Sequence, residues 1–354
     1  MKKLINRVED VVAEQLEGLA LAHPELKFCE EPRYVYREVC GDKVALISGG
    51  GSGHEPMHAG FIGEGMLTAA CPGQVFTSPT PDQMYECGKA VNTGKGVLLL
   101  IKNYTGDVLN FESAVELLHF DDIPVASVTI DDDVAVKDSL YTAGRRGVGA
   151  TVLIEKLVGA AIEAGADLDE ATDLARSLNN RSRSFGVALG ACTVPAAGKP
   201  SFTLADNEIE FGVGIHGEPG IERREYTDCD TLVAQMVDEL LDNTPYTRVV
   251  RTWNREMGMY DEETVAIDEF NAGDEFIVMV NGLGGTPESE LYGAYRKLHK
   301  CLEDKGFKIA RNLIGNYCTA LDMEGFSITL VKADAKTLEL WDAPVKAPSL
   351  RWGR

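Results

Sequence analysis

The sequence predicts an α/β protein of two lobes, each with a central sheet flanked by helices. Short β-rich runs, VALIS at 44–48, GVLLLIK at 96–102 and PVASVTI at 124–130, alternate with longer segments whose apolar residues recur at helical spacing. That alternation is the pattern of a sheet with crossover helices. A chain of 354 residues is also too long for one ordinary hydrophobic core, so two lobes of roughly 150 residues each are expected. With 44% hydrophobic and 25% charged residues, the chain can fill such cores, which excludes disorder, collagen and coiled coil.

Taken in order, the opening MKKLINRVEDVVAEQLEG has the spacing of an amphipathic helix with acidic residues throughout, unlike a secretory signal peptide. Three apolar strands follow, each ending in a polar or glycine-rich turn. From Val148 the apolar residues resume helical spacing and break around Gly165, which predicts two helices closing a first lobe over 1–183. At Ser184 the text changes to short strands with glycine and proline turns, and a second lobe is expected over 184–334. Its later strands are EFIVMVNGLGG at 275–285 and FSITLVKAD at 326–334, with the helix SELYGAYRKLHKCLEDKG between them. The tail, 335–354, contains Trp341 and Trp352 and is expected to pack as an extended arm, because exposed indole rings are costly.

The 34 basic and 56 acidic residues give a net charge of -22, which opposes binding to nucleic acid or to an anionic membrane. Any phosphate chemistry must then rely on local donors, and the acidity itself reads as solubility. No run approaches the roughly 18 consecutive apolar residues of a membrane-spanning helix. The eight cysteines are scattered without a CxxC pair, as expected of reduced thiols buried as small hydrophobes in a cytoplasmic protein.

Three segments could carry chemistry. The strand at 44–48 runs into GGGSGHEPMHAGFIGEG, which leaves backbone N–H groups at a strand's carboxyl end, where α/β sheets place ligands. This is read as a ligand-cradling loop around Ser52 and His54; the plainer reading is a tight turn. HEPMH matches the H-E-x-x-H pattern of zinc peptidases, but Pro56 forces Glu55 out of helical geometry. His54 then stays in the loop while His58 falls inside a helix beginning near Pro56, as a packed residue, and no metal site is expected. Past the strand at 96–102, Asp107 sits on a glycine-containing turn and reads equally as a helix N-cap or as a general base. In FGVGIHGEPG, His216 lies between glycines in a rigid turn, with its imidazole expected to be accessible from both sides. Alone it reads as structural or catalytic.

Together GGGSGHEP (49–56), TSPTPDQM (77–84), IKNYTGD (101–107), IDDDVAVKDSLYTAGRRG (130–147), ALGACTVPAAGKP (188–200), FGVGIHGEPGI (211–221), NLIGNYCTALDM (312–323) and WDAPV (341–345) resemble one family across nearly the whole chain. That family is the dihydroxyacetone-binding subunit of dihydroxyacetone kinases that use a phosphotransferase-system donor. The resemblance implies that the His216 imidazole adds to the ketone carbon of dihydroxyacetone as a hemiaminal. It implies that Asp107 and His54 contact the substrate and remove its hydroxyl proton, with Asp107 nearer and the proton not apportioned between them. Gly51, Ser52 and Gly53 match the substrate-cradling loop, and Lys102 matches a substrate-contact position, through its side chain or only its backbone. Arg176 matches an arginine approaching the donor phosphates; its plainer reading is a solvated helix charge.

The chain has no G-x-x-x-x-G-K-[ST] loop, and 130–147 is read as structural or interfacial rather than nucleotide-binding. By the resemblance, this chain holds no cofactor. ADP/ATP and magnesium are expected on a separate nucleotide-binding kinase subunit, recharged through a multiphosphoryl carrier protein from phosphoenolpyruvate, because the helical nucleotide domain of single-chain relatives is missing. A homodimer is implied as well. The alternatives are a ketone-sensing co-activator that signals to a transcription regulator, and a kinase subunit for another short ketose such as erythrulose.

Overall fold

The computed structural model describes residues 2–38, 40–136 and 144–353. Helix α1 (Val11–Ala22) leads into a six-stranded sheet of β1 (Leu26–Cys29), β2 (Tyr34–Arg37), β3 (Ala45–Ser52), β4 (Ala69–Val75), β5 (Val97–Lys102) and β6 (Val125–Ile130), ordered β1-β2-β4-β3-β5-β6. Strands β4, β3, β5 and β6 run parallel, and β1 and β2 extend the sheet antiparallel. Every residue of β3 and β5 is buried, because crossover helices cover both faces of a parallel sheet.

The period of two in β3 divides these faces. Ala45 and Ile47 join the core formed with α2 (Pro81–Val91) and α3 (Thr105–Phe120), whereas Leu46 joins α4 (Ala150–Glu163) and α5 (Leu168–Asn180). The expected break between the last two helices falls at Gly165, whose φ of +100° suits glycine. Helix α5 then opens with a reciprocal cap: Asp167 accepts from the Glu170 backbone N–H at 2.9 Å, and Glu170 accepts from the Asp167 N–H at 3.1 Å.

The second sheet begins with β7 (Ser182–Ala188), so the expected junction at 183/184 falls inside its first strand. After β8 (Glu208–Phe211), β9 (Glu222–Glu225) and α6 (Cys229–Leu241), an antiparallel ribbon of β10 (Thr247–Asn254) and β11 (Met259–Ala266) leans along β6, held by Arg248 to Asp131 at 2.5 Å. This ribbon is not among the elements that the sequence predicts. Strands β12 (Glu275–Gly282), β13 (Lys308–Gly315) and β14 (Gly325–Ala333), with α7 (Glu288–Asp304), complete a sheet ordered β13-β12-β14-β7-β8-β9. Only β12 and β13, joined through α7, are parallel in it.

Helices α6 and α7 cover one face of this sheet, while Ile277, Met279 and Val331 pack into the same core as α4. Residues 150–162 of α4 are therefore buried on every side, including Glu155 and Lys156. One helix thus serves both sheets.

The tail is not the extended arm expected. It begins with α8 (Ala335–Asp342), because Asp334 accepts from the Thr337 backbone N–H at 2.8 Å and caps a helix. A short hairpin of β15 (Val345–Lys346) and β16 (Arg351–Trp352) follows, with the Trp341 and Trp352 rings 5.2 Å apart. Its backbone pins the loop after β3, through Lys346 N–H to the Glu64 carbonyl (2.8 Å) and Ser349 N–H to that of Gly60 (2.9 Å). All eight cysteines are free. Cys71, Cys87, Cys192 and Cys318 are buried as expected, but Cys29, Cys40, Cys229 and Cys301 are only partly so. Among the described residues no helix is long and apolar enough to cross a membrane.

Candidate active site

The glycine run at the end of β3 is explained by close packing as well as by any ligand. A Cβ on Gly50 would lie 2.3 Å from the Lys102 Nζ, and one on Gly53 would lie 2.8 Å from the Phe76 ring. Past Pro56 the chain does not continue into the expected α-helix. Only a single 3-10 turn, Ala59–Phe61, forms, because a following run with glycines at 60, 63 and 65 does not sustain one. His58 precedes that turn and is buried outside any α-helix. The Nε2 atoms of His54 and His58 face different partners, and among the described residues no group of three or more His, Cys, Asp or Glu is placed to hold a metal ion.

His54 is fully buried. Its Nδ1 donates to the Thr319 carbonyl at 2.8 Å, and the Leu321 N–H bonds the Gly53 carbonyl at 2.8 Å, so the segment after β13 runs along this loop. The Nε2 of His54 lies 3.0 Å from the Nε2 of His216.

His216 sits in the connection from β8 to β9. Glu218 folds back on it, accepting the His216 backbone N–H at 2.9 Å and its Nδ1–H at 2.8 Å. Burial alone would push the Glu218 carboxyl up, but the His216 imidazole and the Arg146 guanidinium outweigh it and hold the group down to about 2. Arg146 is itself buried, pairs with Asp133 at 2.7 Å and donates to the Gly212 carbonyl at 2.7 Å. The 130–147 segment therefore braces the histidine turn, although its residues 137–143 lie outside the described residues. The His216 ring is not open on both sides. His54, Phe76 and Tyr104 enclose it edge-on at centroid distances of 4.7, 5.0 and 4.6 Å, and its side chain is 20% exposed.

These bonds fix a proton inventory. Both Nδ1 atoms donate, so two neutral rings would meet lone pair to lone pair, and the 3.0 Å contact requires one proton between them. Burial, then His216 and Lys102, hold His54 well below the usual imidazole range, while the Glu218 carboxylate lies against His216. The shared proton is accordingly disfavoured on His54.

Asp107 is not the N-cap. Tyr104 takes that place, and Asp107 stands in the first turn of α3, where the positive end of the helix favours a carboxylate. It is 3% exposed, and its Oδ1 has no hydrogen-bond partner among the described residues. A cleft of about 660 Å³ brings together Gly51, Asp107 and His216 with Phe76, Tyr104 and Phe202, and His54 lies directly behind His216.

Of the other residues singled out in the sequence, Ser52, Gly53, Lys102 and Arg176 do not line this cleft. The Ser52 Oγ donates to the Gly73 carbonyl at 2.7 Å, and the Gly53 N–H is taken by the Glu55 carboxylate at 3.0 Å, so this N–H is not the free donor expected of the loop. The Lys102 side chain is buried under Gly50 and bonds the Gly49 carbonyl. Arg176 lies 3.6 Å from Asp173 and lines a separate hollow with Asn180 and Arg248. Glu218, Phe76 and Tyr104 were missed; the His-x-Glu spacing inside a glycine turn was the available signal for Glu218.

This α/β scaffold, with a carboxylate-backed histidine facing a helix-borne aspartate, places the chain in the Dak1 domain family, which residues 17–349 match. Its relatives are kinases, consistent with a phosphotransferase. The chain is 62% identical, over the full length of both, to the Escherichia coli (strain K12) PEP-dependent dihydroxyacetone kinase, dihydroxyacetone-binding subunit DhaK. Among solved structures it resembles the dihydroxyacetone kinase of C. freundii in complex with AMP-PNP and Mg2+ at TM-score 0.85 and 32% identity, covering 99% of this chain and 61% of that one. It also resembles the dihydroxyacetone kinase operon co-activator Dha-DhaQ at TM-score 0.84 and 33% identity, covering 95% and 97%.

Proposed function

We propose that this chain is the dihydroxyacetone-binding subunit of a phosphotransferase-system-dependent dihydroxyacetone kinase. In this reading it holds the ketone as a hemiaminal on His216 while a phosphoryl group passes from a nucleotide on a separate subunit to a terminal hydroxyl. The observation that carries it is the 3.0 Å contact of the two Nε2 atoms, each ring anchored through its Nδ1.

As the ketone enters, the shared proton moves to His54 Nε2 and frees the lone pair of His216 Nε2. That nitrogen bonds the carbonyl carbon, the C=O π pair moves to oxygen, and the oxygen takes the proton from His54. His216 is left as an alkylated imidazolium with its Nδ1–H still on the Glu218 carboxylate, so charge and protons balance. Asp107, with a free Oδ1 on the cleft, is positioned to accept the hydroxyl proton during transfer.

ADP/ATP and magnesium belong, in this reading, to the partner subunit, with phosphoenolpyruvate as the ultimate source of the phosphoryl group. The chain works as a homodimer in the cytoplasm. A co-activator role is the second reading, favoured by the likeness to Dha-DhaQ, but the 62% identity is to a kinase subunit. Erythrulose is the competing substrate, because a hemiaminal selects a carbonyl more strongly than a chain length.

Crystallography of the dihydroxyacetone complex tests the proposal. Continuous density between His216 Nε2 and the ketone carbon is expected, and a fully occupied ketone at van der Waals separation refutes it. Turnover with the partner subunit across short ketoses separates the kinase, co-activator and erythrulose readings.

A further inference from the structure

Beneath the glycine run lies a buried row of ionisable groups that the steps above do not use. Lys102, the last residue of β5, has no exposed surface. Its Nζ donates to the Gly49 carbonyl at 3.0 Å and to His58 Nε2 at 2.8 Å, and His58 Nδ1 in turn donates to Oε1 of Glu155 on α4 at 2.5 Å. Burial holds His58 well below the usual imidazole range, with Lys102 and His54 adding to the effect. The ring therefore stays neutral and bridges the ammonium to the carboxyl.

A buried ammonium is costly unless it is closely paired, and Lys102 reaches Glu155 only through this imidazole. What the ammonium does approach, past Gly50, is the Asp107 carboxylate. The point where a Gly50 Cβ would sit is 2.3 Å from Lys102 Nζ and 3.4 Å from Asp107 Oδ2. Cation and carboxylate thus meet across a bare α-carbon, separated by no more than those two distances together. Around Lys102 stand His54 and His58 from the loop after β3, Asp107 from α3, Glu155 from α4 and Cys318 from the turn after β13.

On the ground of the phosphoryl-transfer reading, we propose that Lys102 is the fixed positive charge behind the acceptor site. It is a positioning residue that clamps the Gly49 carbonyl and offsets the negative charge gathered at Asp107 as an anionic donor approaches, and His58 acts through it. A preorganised charge that matters when the donor arrives belongs to kcat rather than to ketone affinity.

The test uses the full chain reconstituted with its nucleotide-bearing partner. Lys102→Met should lower kcat by about tenfold to a hundredfold, with the dihydroxyacetone dissociation constant within about threefold and the ligand still bonded to His216 in crystals. His58→Leu should lower kcat less, and in the Lys102→Met background it should have no further effect. Lys102→Gln, neutral but able to donate to the Gly49 carbonyl, should show the same kcat loss and decides the matter if the methionine variant does not fold. The proposal is overturned by unchanged kcat in a folded Lys102 variant, by parallel loss of kcat and ketone affinity, or by a His58→Leu effect that adds in full. A ketone bound to the unmutated protein without a bond to His216 counts against the hemiaminal alone, and the kcat comparison still decides Lys102. An unmutated pair with no turnover refutes both.

Discussion

Glu218→Gln isolates the carboxylate that backs His216, the nucleophile of the proposed adduct. The displacement of Glu218 from 4.5 to about 2 corresponds to about 3 kcal/mol at 1.36 kcal/mol per pH unit. The group is largely buried, so little of this is lost to solvent screening. The His216 imidazole contributes more of it than Arg146 does. Glutamine keeps an acceptor for the Nδ1–H but removes the charge that stabilises an alkylated imidazolium. The variant should bind dihydroxyacetone about tenfold to a hundredfold more weakly, while glycerol, which has no carbonyl, is little affected. Titration calorimetry with both ligands reads the difference directly. The linkage sign is that of a depressed carboxylate: its stabilisation is present above pH 4.5 and lost as pH falls toward about 2. The variant should therefore melt below the parent at pH 7 and close to it near pH 2. Equal losses for ketone and glycerol, or a ketone affinity within threefold of the parent, refute this account of Glu218.

Three further outcomes are expected. Asp107→Asn should keep the adduct in crystals while turnover in the reconstituted pair falls by about 10²–10⁴-fold; normal turnover removes Asp107 from the role of base. The isolated chain with ATP and magnesium should not phosphorylate dihydroxyacetone, as followed by coupled assay, and a rate equal to that of the pair would show that no separate donor subunit is needed. Burial raises the Glu155 carboxyl from 4.5 to about 8, with Lys102 opposing. The folded state therefore binds the proton more tightly, and the parent loses stability as pH rises between those values. Glu155→Gln lacks that loss, so its melting temperature should gain on the parent from pH 5 to 8 by the equivalent of a few kcal/mol; a constant offset contradicts the assignment.

Strands β3, β5 and β6 were legible because strands buried on both faces read as unbroken apolar runs, as in VLLLIK of β5. The break at Gly165 was equally plain. The ribbon β10–β11 was not, since TRVVRTWN and MYDEETVA mix charges into both phases of the alternation and bury little on either face. Strand β13 escaped for a related reason, lying at the sheet edge and half exposed. Within the site, the glycine contexts marked His54, Asp107 and His216, and one cleft with its back wall gathers them. Glu218 read as turn punctuation because its return to His216 is a tertiary property of a two-residue spacing. Pro56 misled for His58: it suits the start of a helix, but the glycines beyond it do not sustain one. For Ser52, Lys102 and Arg176, position along the chain carried no information about which way the side chain turns.

The helix α4 is buried on every side because it is the common floor of both sheets. Asp107 stands over one sheet and His216 over the other, so the distance across the cleft is set by the thickness of a packed layer. A hinge between the halves would tear that layer open and expose apolar surface on both sides of α4 at once. The packing of α4 between the sheets therefore opposes a clamshell motion of the two halves. Ser201 and Phe202, from the connection between β7 and β8, complete the rim of a cleft whose two walls share that floor.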